Sequence, residues 1–160
     1  MYFVCQISGS SRPRRTRCME QKILMRLSHK VCMNFWHLEW CTKYRYKMMG
    51  KKEIKNLVQA TIRKAAHEHC IIIHELSVMP DHVHMLVTLP NGMTDSRALQ
   101  LLKGRSSYLI FRNREHMRLR YPQGHFWAPS SCALTVGYND FQTCVGYIQR
   151  QAEHHNIAYA

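Results

Sequence analysis

His82 and His84, two residues apart, are the groups in this sequence whose type and spacing could do chemistry. They stand in Met79-Pro80-Asp81-His82-Val83-His84-Met85-Leu86-Val87-Thr88-Leu89. Pro80-Asp81 marks a turn, and apolar residues then recur with period two at Val83, Met85, Val87 and Leu89, the pattern of a half-buried strand. The two histidines fall on the opposite face, their side chains roughly 7 Å apart along the strand. Imidazoles so arranged can grip one divalent metal ion through one nitrogen each. A strand that merely exposes two histidines reads the same way, and with 11 histidines in the chain such a pair can arise by chance. Tyr147 and Gln151 form a second candidate pair. Four residues apart on a helix, they share a face at the edge of its apolar stripe, where a tyrosine can point into a cleft. Taken alone, a tyrosine there is more often a residue at the rim of the core than a nucleophile. Lys43 and Arg45, interleaved with Tyr44 and Tyr46, could hold a phosphate backbone, or could simply be a solvated strand end. Lys103 and Arg105 flank Gly104 and precede Ser106-Ser107, small residues that let a backbone approach a phosphate.

The rest of the chain bounds these readings. Its 160 residues suit one domain with a real core, and 46% apolar content excludes a disordered tail. The 23 Lys and Arg against 10 Asp and Glu give a formal net charge of +13, which points to a polyanion, most often nucleic acid. Seven scattered cysteines, without a C-x-x-C pair, fit neither a disulfide framework nor a zinc knuckle. They are expected to be reduced thiols in a cytoplasmic protein, several of them in the core. No apolar run approaches a membrane span, and Met1–Ile7 lacks the basic flank and apolar centre of a signal peptide.

Stepping along the chain, residues 1–30 are broken by Gly and Pro and carry a basic run, so they are expected to be a flexible arm, with a short helix over 20–27. The folded domain is expected over 31–160. Lys30 to Cys41 alternates loosely and reads as a first strand. Glu53 to His69 is the clearest helix, with Ile54, Leu57, Val58, Thr61, Ile62, Ala65 and Ala66 on one stripe. Cys70–Val78 reads as a strand joined to the histidine strand by a short antiparallel hairpin. Thr94 or Asp95 caps the next helix, which Lys103–Ser107 is expected to interrupt. Ala133–Val136 reads as a short strand. The last helix is expected to start at Asn139 and to bury Phe141, Cys144, Val145 and Ile148. The order strand, helix, strand, strand, helix, strand, helix predicts an α+β fold, helices packed on one face of an antiparallel sheet. A last helix, or a partner chain, could then cover the histidine face.

Taken in order, several segments resemble one family. They are Trp36-His37-Leu38-Glu39-Trp40-Cys41-Thr42-Lys43-Tyr44-Arg45, Asp81-His82-Val83-His84, Lys103-Gly104-Arg105-Ser106-Ser107, Phe126-Trp127 through Thr135-Val136-Gly137, and Tyr147-Ile148-Gln149-Arg150-Gln151. Together they resemble the single-tyrosine HUH transposases of insertion sequences of the 200/605 type, over about residues 31–155. The resemblance implies a ferredoxin-like α+β fold with the tyrosine on the C-terminal helix, and an obligate homodimer in which the tyrosine helix of one chain can complete the histidine site of the other. It implies Mg²⁺ or Mn²⁺ held by His82, His84 and Gln151, with Tyr147 attacking single-stranded DNA marked by a hairpin, and a covalent 5′-phosphotyrosine beside a released 3′-OH. Lys43, Arg45, Lys103 and Arg105 are the expected DNA contacts. The alternative is a non-catalytic or domesticated nucleic-acid-binding relative of the same fold.

Overall fold

The computed structural model describes residues 25–27, 30–32, 34–137 and 140–151. A two-stranded ribbon, β1 (Met25–Leu27) and β2 (Lys30–Cys32), precedes the main unit. That unit runs β3 (Phe35–Thr42), α1 (Lys52–Glu68), β4 (Ile72–Val78), β5 (His82–Thr88), α2 (Asp95–Asn113), β6 (Trp127–Thr135) and α3 (Phe141–Gln149). Its four strands form one antiparallel sheet in the order β4-β5-β3-β6. With β3 counted as the first strand of the sheet, that order is the ferredoxin-like one expected from the sequence.

Period-two patterning decides which residues each layer receives. Leu38 and Trp40 on β3, Leu76 and Val78 on β4, and Val83, Met85 and Val87 on β5 join one apolar core with Val58, Ile62, Ala65 and Ala66 of α1 and Ala98, Leu99, Leu102 and Ile110 of α2. The alternate residues face the other way, and there α3 crosses the sheet: Phe141 meets Phe35 at 4.9 Å and His74 at 5.1 Å between ring centroids. The Thr94 hydroxyl caps α2 by accepting from the Arg97 amide at 3.2 Å. Between α1 and α2, Arg105 forks onto Glu68 with bonds of 2.6 and 2.9 Å.

Several local expectations are corrected. The strand read from Lys30 to Cys41 is two strands, because β2 pairs with β1 and only β3 joins the main sheet. Met25–Leu27 is extended, not helical; the remainder of the expected arm, residues 1–24, lies outside the described residues, as do Cys5 and Cys18. Helix α2 runs unbroken through Lys103–Ser107. Gly104 sits on its open surface, while the buried Ser106 turns its hydroxyl back to the Leu102 carbonyl at 2.6 Å and accepts from the Trp127 indole at 2.9 Å. These serines are small so that β6 can dock. Strand β6 is nine residues long instead of four, since its start is pinned by that contact and its length by β3. Asp140 is the N-cap residue of α3 and makes no side-chain capping bond; Asn139, the expected cap, lies outside the described residues. Cys41, Cys70, Cys132 and Cys144 are free thiols, and none of these four is in the core. Among the described residues no helix is long and apolar enough to cross a membrane.

Two outcomes test this packing. Ile62→Ala deletes a fully buried side chain of α1, and urea denaturation is expected to show a loss of about 2–5 kcal/mol. Glu68→Gln tests the α1–α2 ion pair. The Arg105 hydrogen bond and positive charge hold the Glu68 carboxyl below its ordinary value of 4.5, so its contribution is complete above that pH and is lost as pH falls through the lowered folded value. The wild-type advantage over Glu68→Gln, small at pH 7 because the pair is solvent-screened, is therefore expected to shrink to nothing in unfolding curves taken well below pH 4.5.

Candidate active site

Register builds the site from β3 and β5. Antiparallel pairing sets Glu39 opposite His84, Cys41 opposite His82 and His37 opposite Leu86. Residues directly paired share a face, so His37, Glu39, Cys41, His82 and His84 all point toward the layer that α3 occupies. The histidines are not surface residues: His82 is 8% and His84 4% exposed. Their rings lie 5.0 Å apart and nearly perpendicular, at 82°.

Each ring is held through Nδ1. His82 Nδ1 donates to Asp81 Oδ1 at 2.6 Å, and Asp81 receives Arg45 Nε on its other oxygen at 3.1 Å. Burial pushes the Asp81 carboxyl upward, but the hydrogen bonds and charges of His82 and Arg45 outweigh it and leave the group below its ordinary value. His84 Nδ1 is 3.2 Å from His37 Nε2, with the two ring planes 19° apart, and 3.8 Å from Glu39 Oε2. Burial lowers the His37 pKa, with the Glu39 carboxylate pulling the other way.

Tyr147 stands over this group. Its ring is 6.1 Å from both His84 and His37, edge-on to each, and the residue is 47% exposed. The orientation of α3 follows from its contacts. Phe141 meets Phe35 and Tyr147 meets His37, so the helix runs in the direction of β3. The helix ends at Gln149, and Gln151 follows just beyond its C-cap, Arg150. Gln151 is 1% exposed, and its Oε1 has no hydrogen-bond partner among the described residues. A buried carbonyl oxygen without a donor costs about 1–3 kcal/mol. Among the described residues no three His, Cys, Asp or Glu side chains are grouped to hold a metal. The donors that could do so are His82 and His84 with the Gln151 amide oxygen, a set suited to a divalent cation that keeps open positions.

The structure therefore brings Tyr147 of α3 against His84 and His37 of its own chain, with His82 beside His84, while Gln151 lies buried just past the end of that helix. Of the four cations expected to meet DNA, Arg45 reaches the site through Asp81, and all four are held by acceptors within the chain. Lys43 Nζ donates to Gln123 at 2.8 Å, Arg45 is held by Asp81, and Arg105 by Glu68. Lys103 Nζ donates to the Pro129 and Ser130 carbonyls at 3.0 and 3.3 Å, and burial lowers its pKa. Tyr44 and Arg45 take left-handed backbone angles, φ 62° and 52°, which turn the chain off β3 and return Arg45 to Asp81. Sequence reasoning missed His37 and Asp81 as members of the site. The signal for His37 was its place two residues from Glu39 on an alternating strand; its meeting with His84 depends on register.

A family model described as "Transposase IS200 like" matches residues 31–151. The chain is 30% identical to the ISDra2 transposase TnpA of Deinococcus radiodurans over 116 residues, 72% of this chain and 82% of that protein. It is 29% identical to a transposase for insertion sequence element IS200 of Salmonella typhimurium, over 74% of this chain and 76% of the relative. Among solved structures, a protein of Deinococcus radiodurans described as a transposase is similar with a TM-score of 0.65 and 28% identity, covering 79% of this chain and 97% of that one. A REP-associated tyrosine transposase bound to a REP hairpin shares the fold, with a TM-score of 0.58 and 17% identity over 78% of this chain and 70% of that one.

If the Gln151 amide is held for a ligand and not for the fold, Gln151→Met should leave the metal-free protein as stable or up to about 1 kcal/mol more stable. Urea unfolding in the presence of chelator measures this; a loss larger than that would assign the amide a structural bond.

Proposed function

The chain belongs to the IS200-like transposase family, and we propose that it cuts and rejoins single-stranded DNA at hairpin-marked ends, with Tyr147 as nucleophile and Mg²⁺ or Mn²⁺ bound by His82, His84 and Gln151. The observation that carries this reading is the accessible Tyr147 ring at 6.1 Å from His84, on the helix whose C-terminal end leads to Gln151, a buried residue whose amide oxygen has no hydrogen-bond partner among the described residues.

Each residue has a definable task. Tyr147 Oη attacks the scissile phosphorus in line; the new Oη–P bond forms as the P–O3′ bond breaks, the tyrosine proton leaves, and a free 3′-OH is released. The energy of the phosphodiester is kept in the 5′-phosphotyrosine, so attack by another 3′-OH rejoins strands without ATP. A bound divalent cation would polarise the phosphate and neutralise charge growing on its non-bridging oxygens. Asp81 keeps His82 in one orientation through Nδ1, which leaves ligation to the other ring nitrogen. Lys43, Arg45, Lys103 and Arg105 supply phosphate contacts in this reading; three of them, Lys43, Arg45 and Arg105, are bound within the chain by solvent-exposed hydrogen bonds, weak enough for a polyanion to compete with. The formal net charge of +13 favours that partner. Hairpin recognition is supported by the fold neighbour that binds a REP hairpin. The working unit in this reading is a homodimer, in which α3 sits over its own histidines, as here, or over those of the second chain.

Incubating the protein and Mn²⁺ with a labelled single-stranded hairpin library should yield a protease-sensitive covalent adduct on a denaturing gel. Tyr147→Phe is expected to reduce adduct at least about 1,000-fold, and chelator to abolish it; an adduct that survives Tyr147→Phe would remove Tyr147 from the reaction. His82→Ala should abolish cleavage while hairpin affinity stays within about threefold, because phosphate contacts supply most of the binding. Salt-sensitive binding with no adduct on any hairpin would favour a non-catalytic relative.

A further inference from the structure

His37 is used by none of the steps above, yet it touches both halves of the site. Its Nε2 lies 3.2 Å from His84 Nδ1, its ring plane is within 19° of that of His84 at 5.3 Å between centroids, and the Tyr147 ring packs edge-on against it at 6.1 Å. It is carried by β3, next to the strand that carries His84, so its position is set by the sheet and not by a loop.

We infer that His37 is a positioning residue for His84, accepting the Nδ1–H of His84 on its own Nε2 and so fixing the tautomer and ring plane from which His84 meets a divalent cation. This rests on the reading of His82, His84 and Gln151 as ligands. A hydrogen bond between two neutral imidazoles needs one donor and one acceptor. A histidine that ligates through Nε2 must carry its proton on Nδ1, so His84 donates and His37 accepts. Glu39 Oε2, at 3.8 Å from the same Nδ1, is too far to be the acceptor. The pair then mirrors its neighbour: Asp81 does for His82 what His37 does for His84, with a carboxylate in one case and an imidazole in the other. The two supports differ in kind. A carboxylate fixes direction and adds charge, whereas His37 fixes direction, adds no charge while neutral, and gives Tyr147 an aromatic wall.

The test uses the full chain and Mn²⁺ alone, without DNA, followed by calorimetry or by the electron paramagnetic resonance of free Mn²⁺. His37→Phe keeps the ring and loses the acceptor; it is expected to weaken Mn²⁺ binding about 10–100-fold at unchanged melting temperature. His37→Gln, whose amide oxygen reaches the position of Nε2, is expected to restore affinity to within about threefold of wild type. Long-range nitrogen-15 spectra of the metal-free protein should show His84 protonated on Nδ1 in the wild type and in His37→Gln, and a shift toward Nε2–H in His37→Phe. If His37→Phe fails to fold, His37→Leu is read in the same way. Wild-type Mn²⁺ affinity and an unchanged His84 tautomer in the acceptor-free variant, with binding abolished by His82→Ala, would overturn the role of His37 and leave the ligand set standing. Mn²⁺ binding that survives His82→Ala would overturn the ligand set and this inference with it.

Discussion

The antiparallel register of β3 on β5 is the constraint from which the site follows. Glu39 opposite His84 and Cys41 opposite His82 bring the polar residues of two strands to one face. A slip of one residue would turn both histidines into the apolar core and set Val83 and Met85 toward α3. The register is locked by that same core: Leu38, Trp40, Val83, Met85 and Val87 are all buried under α1 and α2. The apolar side of the sheet thus supplies the stability, and the polar side inherits its geometry.

That division explains how the chain tolerates buried polar groups. Histidines at 8% and 4% exposure and a glutamine at 1% are a cost to folding unless each finds a partner. His82 has Asp81 and His84 has His37. The Gln151 oxygen has none among the described residues, and α3 is held over the sheet instead by Phe141 on Phe35 and His74 and by the Gln149 amide on Glu75 at 3.0 Å. The fully buried Ile148 and the edge-on contacts of the Tyr147 ring with His37 and His84 complete the seat of the helix, while Tyr147 itself stays 47% exposed.

The basic charge is arranged differently from the site. Lys43, Arg45, Lys103 and Arg105 each hold an acceptor in another part of the chain, so they brace the fold as well as raise its positive potential. Arg45 joins the two functions: its guanidinium steadies Asp81, and Asp81 steadies His82. A phosphate drawn to Arg45 would act on the histidine site through a single carboxylate.

The sequence by itself determined the alternating face of β5, the amphipathic stripe of α1, the order of elements that makes a ferredoxin-like sheet, and the last helix, which carries Tyr147. All of these are local periodicities, readable because side-chain direction repeats every two or 3.6 residues. It could not determine that Ser106 and Ser107 serve β6, that Lys30–Cys32 and Phe35–Thr42 belong to different sheets, or that His37 meets His84. Those depend on which strand lies beside which and at what register, and the energy that selects a register is summed over the whole buried face of the sheet. The meeting of His37 with His84, 47 residues apart in the chain, was decided by the tertiary structure alone.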